Sequence, residues 1–188
     1  MEEVLFVTKN LMLETIFFNN MANDEVFPLV DEAGNVIGSA TRKECHSGSK
    51  LLHPVVHLHV RDSENRLYLQ RRSMTKDIQP GKWDTAVGGH VDYGESIEAA
   101  LKREAREELG LIGFEHKKLF TYIFESNIER EMVNTFTTIV SADSIRIDKD
   151  EIDEGRFWTF AEIDENIGKN IFTPNFESEY KRLKQIWA

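Results

Sequence analysis

The chain has 188 residues, 40% apolar and 30% charged, with twelve phenylalanines and three tryptophans; this fits one globular domain with a proper core and excludes a disordered chain. A formal net charge of -10 without any basic stretch excludes a nucleic-acid polymer as partner, because neutralising phosphates takes a local surplus of Lys and Arg. The single cysteine, Cys45, excludes an intrachain disulfide and suits a reducing compartment.

The opening "MEEVLFVTKNLMLETIFFNN" is apolar in places. Glu2 and Glu3 replace the basic start of a secretory signal, and Lys9, Asn10 and Glu14 interrupt it as a membrane span. We read a cytoplasmic protein with no membrane partner, in which residues 1–25 form an extension of uncertain structure and residues 26–188 the domain. The apolar first twenty residues offer a surface for a homodimer.

From Val26 the pattern is short strands broken by turn signals: "VFPLV", a turn at Asp31 to Gly34, "NVIGSAT", then "PVVHLHVR" and "RLYLQRR" flanking Asp62 to Asn65. "RLYLQ" alternates like a half-buried strand, whereas "PVVHL" is continuously apolar and suits a central one. A Gly-rich bend, "QPGKWDTAVGG", leads into a helix from about Ser96 to Leu109, with Ile97, Ala100, Leu101, Ala105 and Leu109 as its apolar stripe and Gly110 as its stop. "HKKLFTYIFES" and "EMVNTFTTIV" read as a hairpin and "GRFWTF" as a last strand. A final helix starts at Thr173 as N-cap with Pro174 behind it. "DKDEIDEG", residues 148–155, lacks the ligand pattern of a calcium loop and reads as a charged loop. This order predicts an α/β (α+β) domain, a mixed sheet between helices.

The chemistry concentrates in the bend and the helix after it. Glu104, Glu107 and Glu108 lie on overlapping helical faces, where like charges cost about 0.2 to 0.5 kcal/mol per pair. Hard carboxylate oxygens in this arrangement suit Mg2+ or Mn2+, with the remaining coordination positions left to water and a small-molecule organic diphosphate. A solvated face with ordinary ion pairs, such as Glu98 with Lys102, is the alternative that the spacing alone leaves open. Arg71 and Arg72 alternate faces on their strand, so one can meet phosphate while the other pairs on the surface. Lys82 and Lys76 flank the bend and read as solvated lysines, with steering of an anion as the alternative. Trp83 and Tyr93 bracket it; Trp83 is read as packing on the sheet, with stacking on a base as the alternative for both.

Gly89, five residues, Glu95, seven residues, then Arg103, Glu104, Ala105, one residue, Glu107, Glu108, one residue, Gly110 and Leu111 resemble the Nudix box at every specified position. The resemblance implies a Nudix fold and hydrolysis of a diphosphate linked to another moiety. It makes Glu104, Glu107, Glu108 and the carbonyl of Gly88 metal ligands, has Arg103 orient a glutamate of the cluster, and gives Glu95 a supporting role. The proton acceptor would be Glu104, with Glu131 as second choice. Over residues 26–160 the chain is also similar to the Nudix branch of type I isopentenyl diphosphate isomerase. That likeness places metal-binding histidines at His53 and His90 and acidic ligands at Glu129 and Glu131. The isomerase cysteine falls on Gly88, and glycine carries no proton, so the hydrolase is favoured over the isomerase. His57 and His59 share one side of their strand, and by themselves these histidines, His53 and His90 included, read as ordinary polar residues rather than ligands. A non-catalytic ligand sensor on the same fold is the remaining alternative, disfavoured because no box carboxylate is missing.

Overall fold

The computed structural model describes residues 25–76 and 78–187. The extension and the dimer surface expected at residues 1–20 lie outside the described residues. Two strands, β1 (Val26–Val30) and β2 (Val36–Thr41), pair antiparallel around the Asp31 turn, where the Asp31 carboxylate accepts from the backbone N–H groups of Ala33 and Asn35, both at 2.9 Å. A single turn, α1 (Arg42–Cys45), follows.

The main sheet has seven strands: β3 (Leu52–Arg61), β4 (Leu67–Arg72), β5 (Trp83–Asp84), β6 (Val87–His90), β7 (Lys117–Glu125), β8 (Arg130–Ile139) and β9 (Ile152–Trp158). Its order is β5-β4-β3-β8-β7, with β6 also beside β3 and β9 also beside β4. β3 and β8 run parallel over ten residues, from Leu52↔Arg130 to Arg61↔Ile139, and the other pairs are antiparallel, so the sheet is mixed. β3 is central, as its unbroken apolar run predicts; nine of its ten residues are buried.

Helices cover both faces. α2 (Ile97–Leu109) begins at Ser96, whose hydroxyl accepts from the N–H of Ala99 at 3.2 Å, and ends at Gly110, whose φ of 66° is open to glycine at little cost. Its stripe of Ala100, Leu101, Ala105 and Leu109 packs on Val56, Leu58, Val60 and Phe136. The opposite face of the sheet receives α3 (Phe160–Asn166) and α4 (Pro174–Trp187), where Phe176 and Tyr180 pack on Leu67, Leu69, Trp158 and Phe172. No helix among the described residues is long and apolar enough to cross a membrane.

Two readings of the sequence change. The charged loop at 148–155 is loop only in its first half, because β9 already starts at Ile152. That side chain is fully buried, and Glu154 stands opposite Arg71 on β4. The short helices α1 and α3 were not predicted, although each opens with a capping box: Thr41 with Glu44, and Thr159 with Glu162.

Candidate active site

The bend after β5 brings β6 alongside β3 and delivers its four residues alternately to the two faces of the sheet. Gly89 meets α2. A Cβ on it would sit 2.0 Å from Cδ of Glu104, so the absence of a side chain at 89 is what lets the glutamate lie across the strand. Gly88 and His90 face the other way, towards α4.

Hydrogen-bond alternation fixes where the Gly88 carbonyl points. The N–H of Val91 donates to the carbonyl of Pro54 at 3.3 Å. Two residues on, Val56↔Gly89 is then the next hydrogen-bonded pair, and His57↔Gly88 is a non-hydrogen-bonded one. The N–H and C=O of Gly88 therefore turn away from β3 and leave the oxygen free for another ligand.

Arg103 organises the α2 side. Its Nε and Nη2 donate to the two oxygens of Glu95 at 3.1 and 2.9 Å, Nη1 donates to Glu104 at 2.7 Å and to Glu107 at 3.3 Å, and Nη2 also reaches the carbonyl of His90 at 2.9 Å. One guanidinium thus ties the loop, two box carboxylates and β6 together. Glu107 is half-exposed. Glu108 is buried and Glu104 partly so; desolvation pushes Glu104 up to about 7, against the pull of Arg103, and burial together with the Glu104 charge pushes Glu108 up to about 8. Among the described residues, the Glu108 carboxylate accepts from the side chain of Gln70 alone, at 2.8 Å. Three carboxylates gathered on one helix, with the Arg103 guanidinium among them, fit a divalent cation with oxygen donors.

The α4 side holds a second candidate cluster. Ring nitrogens of His46, His53 and His90 all lie within 4.8 Å of one another. Nε2 of His46 is 3.1 Å from Nε2 of His90 and 3.7 Å from a carboxylate oxygen of Glu129. Nε2 of His53 is buried and makes no hydrogen bond, while its Nδ1 donates to the carbonyl of Leu51 at 2.9 Å, which fixes the ring. Burial lowers His53 and holds His90 well below the usual histidine range, so both rings are neutral, as metal-bound imidazoles must be. Phe27 stacks on His90 at 4.2 Å between centroids. Glu129 and Glu131 are buried beside this cluster and raised, chiefly by burial. Asn175 of α4 donates to Glu131 at 3.2 Å and accepts from Tyr122 at 2.7 Å.

The remaining sequence candidates divide. Arg72 turns inward: it lies 3.5 Å from Asp84, and its charge reaches Glu129 and Glu131. Arg71 pairs with Glu154 across β9, and the ammonium of Lys82 meets Asn170; neither forms an ion pair with a box carboxylate. Lys76 pairs with Glu151. Trp83 packs edge-on against Trp158, whereas Tyr93 is 59% exposed. His57 and His59 are not ordinary polar strand residues, since both are buried against Glu179 of α4, itself fully buried. Sequence reasoning passed over His46, Gln70, Asp84, Asn175 and Glu179. Of these only His46, seven residues before His53, carried a signal.

The family model described as NUDIX domain matches residues 51–176. An uncharacterized Nudix hydrolase of Streptomyces coelicolor is 33% identical over 162 residues, covering 86% of this chain and 89% of the relative. An isopentenyl-diphosphate Delta-isomerase of Streptomyces avermitilis is 30% identical, covering 84% and 83%. A crystal structure of a protein from Deinococcus radiodurans superposes with a TM-score of 0.73 at 25% identity, over 84% of this chain and 98% of that one.

Proposed function

Since the chain belongs to the NUDIX domain family, we propose that it is a divalent-metal-dependent hydrolase of organic diphosphates, with nucleoside diphosphates and related compounds as its substrate class. The observation that carries this reading is the buried Glu108 and half-buried Glu104 on one helix with Glu107, Glu104 lying against the Gly89 backbone next to Gly88. Those three carboxylates and the carbonyl of Gly88 would hold Mg2+ or Mn2+. Bound there, the cation supplies the charge that polarises the phosphoryl group and offsets that of the departing phosphate.

The chain's own residues do the rest. Glu104 takes the proton of the attacking water, and Arg103 holds its carboxylate in place while Glu95 anchors Arg103. Glu131 is the second candidate acceptor, on the other face of β6. Arg72 meets phosphate; Arg71 and Lys82 contribute longer-range attraction for the anion. The histidine cluster would hold a further cation, and its mixed nitrogen and oxygen donors suit Mn2+ or Zn2+ better than Mg2+. The lone buried thiol of Cys45 fits a cytoplasmic location.

That cluster, together with the likeness to isomerases, also supports a second reading as a carbon isomerase of prenyl diphosphates; against it stands Gly88, which has no side chain to carry a proton. A panel of nucleoside, dinucleotide, sugar-nucleotide and prenyl diphosphates with Mg2+ or Mn2+, assayed for cleavage of the diphosphate bond to inorganic phosphate or phosphomonoester products, decides between them. Cleavage that falls at least about a hundredfold in Glu104→Gln supports the hydrolase, in line with the loss of a positioned acid-base group. Isopentenyl diphosphate consumed without phosphate establishes the isomerase, and no turnover at all points to a ligand sensor.

A further inference from the structure

His57 and His59 share a face of β3 and a common partner, but they use their ring nitrogens differently. Nδ1 of His57 donates to Oε2 of Glu179 at 2.8 Å, and Nε2 of His59 lies 3.0 Å from the same oxygen, at ion-pair distance though out of hydrogen-bond alignment. The other oxygen of Glu179 accepts from the hydroxyl of Thr135 at 2.5 Å. On its far side, Nδ1 of His59 contacts the hydroxyl of Thr85 at 3.2 Å, so both of its nitrogens are engaged inside the protein. His57 is 7% exposed, and its Nε2 makes no hydrogen bond to a described residue.

The register says what that nitrogen faces. His57 is the cross-strand partner of Gly88, in a non-hydrogen-bonded pair, the kind that brings side chains closest. A Cβ built on Gly88 would lie 3.5 Å from Cδ2 and 3.6 Å from Nε2 of His57. Where most residues would cover the imidazole, glycine leaves it bare, beside the carbonyl assigned above to the metal and the diphosphate.

We propose that His57 is a substrate-contacting residue, whose Nε2–H, aimed across Gly88 by Glu179, donates a hydrogen bond to an oxygen of the bound diphosphate. Glu179 is the positioning residue. It accepts from Nδ1 at 2.8 Å and so fixes the ring plane, leaving Nε2 towards Gly88. The other charges at this face are Arg72, which favours an anion, and Asp84 and Glu131, which leave the metal to compensate them. This inference deepens the hydrolase reading and rests on its placement of the diphosphate at Gly88.

Two isosteric variants separate contact from scaffolding. Asparagine reproduces Nδ1 and keeps the bond to Glu179 but has nothing at Nε2; glutamine reaches the Nε2 position and gives up the bond to Glu179. Binding of methylenediphosphonate, which cannot be hydrolysed at its carbon bridge, is measured by calorimetry in Mg2+ on the full chain, with Tm alongside. We expect His57→Asn to keep its Tm and bind about ten- to a hundredfold more weakly, the loss of one hydrogen bond to a charged group, and His57→Gln to regain most of the affinity. Unchanged binding by His57→Asn overturns the proposal. So does equal weakening of both variants in step with their Tm, which would make His57 scaffolding, or a parent protein that does not bind the analogue. Absence of diphosphate cleavage by the parent across the substrate panel would instead refute the hydrolase reading, and the binding comparison would still decide the role of His57.

Discussion

Replacing Gly89 with alanine tests whether the position of Glu104, rather than its mere presence, matters. The added Cβ would lie 2.0, 2.3 and 2.4 Å from Cδ, Oε1 and Cγ of Glu104. Restoring an ordinary contact of 3.4 Å moves the carboxylate by about 1.4 Å. A glutamate side chain can swing that far at little cost in stability, but it then leaves the fork of Arg103 and the cluster with Glu108. A misplacement of about 1 Å in a reacting constellation costs on the order of a hundredfold. Gly89→Ala should therefore fold, with Tm within about 4 °C of the parent, a shift on the scale of 1 kcal/mol. It should lose about a hundredfold or more in kcat/KM for diphosphate hydrolysis and bind Mg2+ more weakly. Gly38→Ala in β2, where an added Cβ meets nothing within 4 Å, is the control and should behave as the parent. Steady-state phosphate release with a Mg2+ titration reads both. Parent-level kcat/KM in Gly89→Ala would refute the claim that the bare Gly89 backbone sets the position of Glu104.

Protons and metal should compete at the box. Burial raises Glu104 to about 7 and Glu108 to about 8, so the metal-free fold keeps their protons above the ordinary carboxylate range and loses stability as pH rises from about 4.5 through 8; the raised His57 adds loss in the same direction as pH passes about 9. Tm of the metal-free protein should fall from about pH 6.5 to 8, above the range in which the lowered His53 and His90 oppose the trend, and Mg2+ should release protons on binding at pH 6 but not at pH 9, seen by calorimetry in buffers of different ionisation enthalpy. Cys45 is buried and its thiol pushed up to about 11 by burial, so a disulfide reagent at pH 8 should leave the native protein unlabelled and modify it on unfolding. Ser96→Ala removes the cap that accepts from Ala99 and should cost about 1 kcal/mol, read as a Tm drop of about 2–4 °C.

Where local rules decide, the chain was readable. The unbroken apolar run of β3 marked a central strand, and Ser96, the Ala/Leu stripe and Gly110 bounded α2 to the residue. α1 and α3 were equally legible, through Thr41 with Glu44 and Thr159 with Glu162, but four and seven residues are too few for a helical stripe to show. The start of β9 was hidden because Asp153 and Glu154 read as solvent loop until Arg71 is set opposite Glu154. At the site, the box carboxylates and Arg103 announced themselves by spacing along one helix. Gln70, Asp84, Asn175 and Glu179 gave no sign, since each acquires its role from a partner 38 to 122 residues away.

The strand Val87–His90 binds the fate of its two faces together. Consecutive residues of an extended chain look in opposite directions, so one residue inserted or deleted upstream would turn an imidazole towards the glutamates and a glycine towards the histidines. Both nests would be emptied by the same accident. Evolution can therefore redirect this protein only by exchanging side chains within a bend of constant length, and Gly88, with room for a Cβ over its neighbour's ring, is the natural place for such a change of trade.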